Sequence, residues 1–443
     1  MPAEPAAGDE APRSGLGVYL HRRVLAMLFL GFSAGLPFPL VFATLSAWLA
    51  TAGVQKSSIG MFAWVGMTYS LKFLWAPLVD RIPLPGIGAW LGRRRSWMLL
   101  AQAGVAVALM GLAGVDPAGD LLRVAWLSVA VAFCSATQDI AIDAWRIEAV
   151  AQRLQGAMAA AYQFGYRLAM LAAGAGALFI ADFMSWPAAY HAMAALMLVG
   201  VVTVFIIEEP PRGPGVDGST AGSSAAAGQP PARRLRAWFA SAVVGPFADF
   251  FHRNGAWGFV LLGFIACYRI SDLILGVMAN PFYINIGFSL SQIATIAKVF
   301  GFALTLAGAA LGGVAVARWG AVRPLVAGAV LVATTNMLFA GLAWHGQPDL
   351  RFLMATISAD NLAAGFAGTV FIAYLSSLTS VSYTATQYAL FSALMTVLGN
   401  FIGGFSGMVV EASDWVSFFL YASAMGVPAI VLSMVVAGRA RAR

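Results

Sequence analysis

A handful of ionisable side chains stand inside stretches that are otherwise apolar, at spacings that could do chemistry. Asp139 and Asp143 are four residues apart, so on a helix they share one face, with Arg146 a turn further on. Arg269 and Asp272 are three apart. Arg167, Lys298 and Asp360 each stand near the middle of an apolar run, and Lys72 lies toward one end of another. A charge at membrane depth costs about 2.5–3.5 kcal/mol on insertion scales, so each is a functional hypothesis by default. The plain alternative is that the acids and bases neutralise one another in pairs. Otherwise the bases offer grip on an anion, planar and two-pointed for Arg, compact for Lys. The acids offer a proton that can be taken up and released. The four histidines (His21, His191, His252, His345) lie at the ends of apolar runs or between them, so a carboxylate must carry any such proton. Burial and a nearby cation move a carboxylate's proton affinity in opposite directions, which lets such a group titrate usefully. Asp139, Asp143, Asp272 and Asp360 are the proton-coupling candidates.

The elements that hold these residues are membrane spans. Sixty per cent of the 443 residues are hydrophobic and 10% are charged, and mean hydropathy is +0.81. A bundle solvated by lipid needs that much apolar sequence and a soluble core does not. At about 20 residues per span, the chain divides into twelve: 24–51, 58–79, 97–115, 121–148, 157–182, 187–207, 257–283, 290–317, 323–344, 350–378, 384–411 and 414–437. Arginines crowd alternate connections: Arg22 and Arg23, then Arg81 and Arg93 to Arg95, Arg153, the central loop, Arg318 and Arg323, and the C-terminal Arg439, Arg441 and Arg443. The other connections carry mostly acids. Short Arg-rich loops stay cytoplasmic, so both termini are expected inside. The net charge of +7 follows this bias and the anionic inner leaflet; nucleic-acid binding is excluded, because the arginines fall between spans. The first span is too long for a cleaved signal peptide. Cys134 and Cys267 fall in different spans and read as small buried residues, with no disulfide and no metal site expected.

Residues 208–236 interrupt the pattern with prolines and a Gly/Ser/Ala run, the composition of a flexible tether. The reading is an N-terminal tail (1–23), a six-helix bundle (24–207), a cytoplasmic linker (208–256), a second bundle (257–437) and a short tail (438–443). Within the linker, 233–253 sets arginines beside Trp and Phe and reads as an amphipathic helix on the inner leaflet. The fold class is therefore an all-α integral membrane protein of twelve transmembrane helices in two six-helix pseudo-symmetric halves. That layout resembles the major facilitator superfamily, whose substrates bind near midplane between the halves. Ala76-Pro77-Leu78-Val79-Asp80-Arg81, followed by Gly92-Arg93-Arg94-Arg95, is similar to the superfamily's signature loop, stretched by Pro83–Pro85. A fainter copy follows span eight at Gly312, Gly313, Arg318, Gly320 and Arg323. Asp80, Arg81, Arg93, Arg94, Arg146 and Glu148 are the gating candidates. Gly31, Gly35 and Pro37 are placed to loosen or kink span one.

A closer resemblance covers nearly the whole chain. Gly31-Phe32-Ser33-Ala34-Gly35-Leu36-Pro37, Ser70 to Arg81, Leu91 to Arg95, Ala136 to Arg146 and Tyr383 to Leu390 are similar to the AmpG family of muropeptide permeases. Trp145 departs from the Tyr that many relatives carry. The same strings resemble, more distantly, acetyl-CoA transporters of endomembranes. The resemblance implies proton-coupled import of N-acetylglucosaminyl-1,6-anhydro-N-acetylmuramyl peptides from periplasm to cytoplasm for cell-wall recycling, across a bacterial inner membrane. Such a substrate carries stem-peptide carboxylates and sugars. Arg167, Arg269 and Lys298 are then the anchors, and Gln138, Tyr162, Gln163, Tyr268 and Asn361 supply hydrogen bonds and aromatic faces. The only coupling species expected is the proton, with no other cofactor, and the only partners are the small anionic glycopeptide and the bilayer; a monomer is expected. The alternative cargo is another bulky organic anion such as acetyl-CoA. An enzyme would need a nucleophile with a base, or a metal cluster, inside the bilayer. No histidine lies deep, no His/Cys/Glu cluster has ligand spacing, and Asp139 with Asp143 on one helix is not a two-element acid pair. A receptor would need an extramembrane domain that the chain lacks.

Overall fold

The computed structural model describes residues 19–150, 154–210, 245–378 and 384–442. The expected N-terminal tail to 18, Arg153, the tether from 211 to 244, Tyr383 and Arg443 lie outside the described residues, as do the side chains of Asp80, Arg81, 384–390 and Arg441. Every described regular element is a helix. Among the described residues, eleven stretches are long and apolar enough to cross a membrane: Arg22–Thr51, Arg93–Ala113, Leu121–Ala149, Gln155–Phe183, Trp186–Ile206, Trp257–Ile286, Leu290–Trp319, Val322–His345, Leu350–Leu375, Ala393–Ala412 and Trp415–Arg439. They are spans one and three to twelve. Span two, 56–81, is a chain of short pieces: Lys56–Met61, a 3₁₀ turn Phe62–Val65, Gly66–Ser70, a second 3₁₀ turn Lys72–Leu74, and Ala76–Arg81. Pro77 falls in the first turn of the last piece, where its missing N–H is harmless.

One expected boundary moves and one expected span is broken. Span three begins at Arg93 rather than 97, because the Glu209 carboxylate accepts from the backbone N–H groups of Arg94 (2.8 Å) and Arg95 (3.1 Å) at its first turn. Gly92 precedes it at φ +86, and a Cβ there would lie 2.5 Å from Glu209. Span one breaks after its glycines, into Arg22–Gly35, Pro37–Val41 and Ala43–Thr51, with Phe42 at φ −124 and ψ −99.

Connections alternate between two ends of the bundle. The linker end holds Arg22, 82–92, 150, 154, 207–210 and 320–321; the far end holds 52–55, 114–120, 184–185, 287–289, 346–349 and 413–414. Buried apolar side chains form one cluster at the far end that runs through both halves, from Leu36–Val65 and Leu178–Met197 to Ile270–Ile296 and Val410–Ala422. At the linker end there are two separate clusters instead. One lies in the N-terminal half around Met27, Met98, Trp145 and Val204. The other lies in the C-terminal half around Phe264, Leu325, Phe371 and Phe391. The halves are thus closed on each other at the far end and parted at the linker end. Of the predicted interfacial helix, the described part is Gly245–Asn254. It docks on the C-terminal half through Phe250, which is 1% exposed and meets Phe391 edge to face.

Candidate binding cleft

Between the parted halves, mid-span charges reach solvent. In the N-terminal half, Asp139 Oδ2 lies 3.8 Å from Lys72 Nζ on span two. Its Oδ1 is buried with no hydrogen-bond partner among the described residues. The Lys72 side chain is 39% exposed and that of Asp143 46%, against 15% for Asp139. This gradient runs from open water into a half-shielded carboxylate. Asp143 pairs with Arg146 at 3.4 Å. Tyr69, Tyr162 and Tyr166 bring their hydroxyls into the field of Asp139. Span five supplies those last two tyrosines because it packs tightly on span one: a Cβ on Gly31 would overlap the Tyr162 carbonyl oxygen, and one on Gly165 would overlap that of Leu28. Arg167 and Gln163, also on span five, are exposed, and no ion pair holds Arg167 among the described residues.

The C-terminal half carries a second charged group. Arg269 Nη2 pairs with Asp272 on the same helix, and Asp360 of span ten lies close enough to feel both. Lys298 sits on the widened π-helical turn Ala294–Phe300 of span eight. It donates to Asn280 Oδ1 of span seven at 3.1 Å. The equivalent π-turn of span five, Ala172–Gly176, packs opposite, and the Lys298 stem lies against Gly174.

Three of the residues predicted to meet a ligand are occupied with packing. Gln138 is fully buried and accepts from Ser33 at 3.0 Å. Tyr268 donates to the Leu325 carbonyl at 3.2 Å and stacks on Phe371 with centroids 4.3 Å apart. Asn361 accepts from Thr305 at 2.8 Å and donates to the Ile357 carbonyl. Of the gating candidates with described side chains, Arg93, Arg94 and Glu148 form one cluster inside the N-terminal half. Glu148 takes Arg94 with two oxygens, at 3.1 and 2.6 Å, and lies 3.6 Å from Arg93.

Sequence reasoning missed the far-end closure. There the Glu411 carboxylate accepts from the Ser57 N–H at 3.0 Å, and Asp182 from the Ser291 N–H at 3.2 Å. Lys56 lies over the Trp415 ring at 5.1 Å, and Gly407 packs so closely that a Cβ would overlap the Lys56 carbonyl oxygen. Trp64 Nε1 donates to the Phe401 carbonyl, and Ser70 and Thr396 exchange a hydrogen bond at 2.9 Å deeper in. An acid in the last turn of a span gave no sequence signal, because its partner is a backbone N–H of the other half. Asn280 next to Pro281, a polar amide inside an apolar span, was the signal available for span seven.

Solved structures with this architecture include a mutant of the nucleoside transporter NupG, at TM-score 0.65 and 17% identity over 94% of this chain and 98% of that one. A D-xylose–proton symporter matches at 0.64 and 14%, over 95% and 97%. A bacterial homologue of the human lysosomal transporter Spinster, inward-facing and unoccupied, matches at 0.65 and 15%, over 95% and 97%. The chain shares the fold of these transporters, two six-helix halves that here are closed on each other at one end and parted at the other. Relatives at higher identity narrow the class. The anhydromuropeptide permease of Escherichia coli (strain K12) is 34% identical over 422 residues, 95% of this chain and 81% of that protein. Putative transporter AmpG 4 of Rickettsia conorii is 31% identical over 94% of this chain and 97% of its own. The chain belongs to the AmpG permease family. Residues 23–182 also match the family model described as acetyl-coenzyme A transporter 1.

Proposed function

We propose that this chain is a proton-coupled importer of anhydro-muropeptides, working by alternating access in a bacterial inner membrane with both termini in the cytoplasm. The observation that carries the reading is the 34% identity to the Escherichia coli anhydromuropeptide permease across 95% of the chain. The arginine bias of the linker-end connections supports the orientation, which makes the far end periplasmic. In that frame the cleft described above opens to the cytoplasm.

The cleft's chemistry suits such a cargo. Stem-peptide carboxylates meet Arg167, Arg269 and Lys298, which stand in three different spans and so fix an extended anion by several points. The sugars meet Tyr69, Tyr162 and Gln163. Asp139 and Asp360 carry the proton. Protonation of Asp139 removes the charge that holds Lys72, and protonation of Asp360 removes one of two acids beside Arg269. Either event changes which cations are available to an anion, and the coupling ion needs no further cofactor. The halves are 24–207 and 257–437, and one chain suffices for the cycle.

Acetyl-CoA or a similar bulky anion is the second reading, favoured by the family-model match over the first five spans. Competition separates the two. Uptake of labelled anhydro-muropeptide should be inhibited by the free disaccharide and not by coenzyme A. Inhibition by coenzyme A alone would move the assignment to the second cargo.

A further inference from the structure

We propose that Asn280 relays the state of Lys298 to the far-end closure, so that an anion drawing Lys298 away loosens the contact that keeps the far end shut. This rests on the reading of Lys298 as an anion anchor. Asn280 is 1% exposed, and both ends of its amide are used. Its Oδ1 accepts from Lys298 Nζ at 3.1 Å. Its Nδ2 donates to the backbone oxygen of Ala43, in the other half. Ala43 is the first residue of the outer piece of span one, immediately after the break at Phe42. That piece, Ala43–Thr51, is packed on span seven and belongs to the apolar cluster joining the halves. A hydrogen bond between the halves here exists only while the far end is closed.

Lys298 decides how well that bond is made. Its ammonium occupies Oδ1, which turns the NH₂ group toward Ala43. A charged donor on the oxygen also polarises the amide, because linked hydrogen bonds strengthen one another. An ammonium has three donors, and Lys298 has no ion pair among the described residues, so a carboxylate entering the cleft finds it available. Ion pairing with that carboxylate pulls the ammonium from Oδ1 and leaves the amide without its orienting partner. Asn280 is thus a positioning residue and need not touch the cargo. The two facing π-turns, of span five and span eight, leave room for the Lys298 stem to move along Gly174.

Spin labels at the exposed far-end positions Met184 and Gln347, one in each half, read the closure directly in the absence of any substrate. Asn280→Ala should raise the ratio of far-end-open to far-end-closed molecules by about two- to tenfold, the worth of one hydrogen bond net. Asn280→Asp keeps a partner for Lys298 but has no donor for Ala43, and should shift the ratio the same way; it carries the test if the alanine variant does not fold. Asn280→Gln should restore part of the closed population. Lys298→Gln should open the far end in the native background and add nothing once Asn280 is alanine, since both act through one bond. Unchanged distances in both Asn280 variants, or full additivity with Lys298→Gln, would overturn the relay. Neither outcome touches the anchor reading, which is judged separately in the Asn280→Ala background, where Lys298→Gln should weaken a carboxylate-bearing ligand and spare one lacking carboxylates.

Discussion

At Arg269 a single side chain has two possible duties, and they can be separated. It pairs with Asp272 on its own helix and lies within the field of Asp360. If Arg269 grips stem-peptide carboxylates, Arg269→Gln removes a charge-assisted contact of about 1.5–3 kcal/mol, a loss of roughly tenfold to a hundredfold in apparent affinity. The loss should be large for peptide-bearing anhydro-muropeptide and small for the anhydro-disaccharide with its lactyl carboxyl amidated, which bears no carboxylate. A purely structural pair predicts equal loss for both ligands and rescue by adding Asp272→Asn. The mid-span charges themselves were legible in the sequence because lipid makes every one of them conspicuous. Which way a polar residue points was not. Gln138, Tyr268 and Asn361 look like ligand contacts along the chain, but the amide oxygens of Gln138 and Asn361 and the hydroxyl of Tyr268 are each bonded to a neighbouring helix.

Glycines at helix crossings divide into two kinds. Gly31 abuts the Tyr162 carbonyl within the N-terminal half, and Gly407 abuts the Lys56 carbonyl across the halves. Gly31→Ala therefore forces a clash in every conformation and should cost about 1–3 kcal/mol of stability, the usual cost of overpacking, seen as a lower melting temperature. Gly407→Ala clashes only when the far end is shut. It should leave the melting temperature near that of the native chain and raise cysteine accessibility at the far end, with uptake lost. A lowered melting temperature without any gain in accessibility would show that Gly407 serves the fold alone. Along the sequence Gly31 and Gly35 read as kink points, whereas the helix runs unbroken to Gly35 and both pack against span five. The difference between packing within a half and packing at a gate depends on which helix lies opposite, and only the tertiary structure supplies that. Span two was likewise readable as a span, while its division into five pieces was not, since an apolar run does not report where its hydrogen-bond ladder changes.

The whole molecule has one uniting core at the far end and two separate cores at the linker end, the arrangement that the proposed alternating-access cycle needs on one of its two sides. Six-plus-six architecture was legible from hydropathy and arginine spacing alone; the conformation was not, because hydropathy reports which runs are apolar and not which faces of the two halves meet. The orientation has its own check. Cysteines at Ala118 and Gln347 should react with an impermeant external label, and those at Ala225 and Arg441 should not. External labelling at 225 would sink the assignment of sides. The central claim is that a proton gradient drives an anionic muropeptide through this cleft, by way of carboxylates. It is tested most directly by uptake of a peptide-bearing anhydro-muropeptide into proteoliposomes under an imposed pH gradient, with Asp139→Asn, Asp143→Asn, Asp272→Asn and Asp360→Asn beside the native chain. The account predicts accumulation above the outside concentration that collapses with a protonophore. It further predicts that at least one Asn variant exchanges substrate but no longer concentrates it. Native accumulation indifferent to the gradient, or four variants that all still concentrate substrate in response to it, would contradict the account.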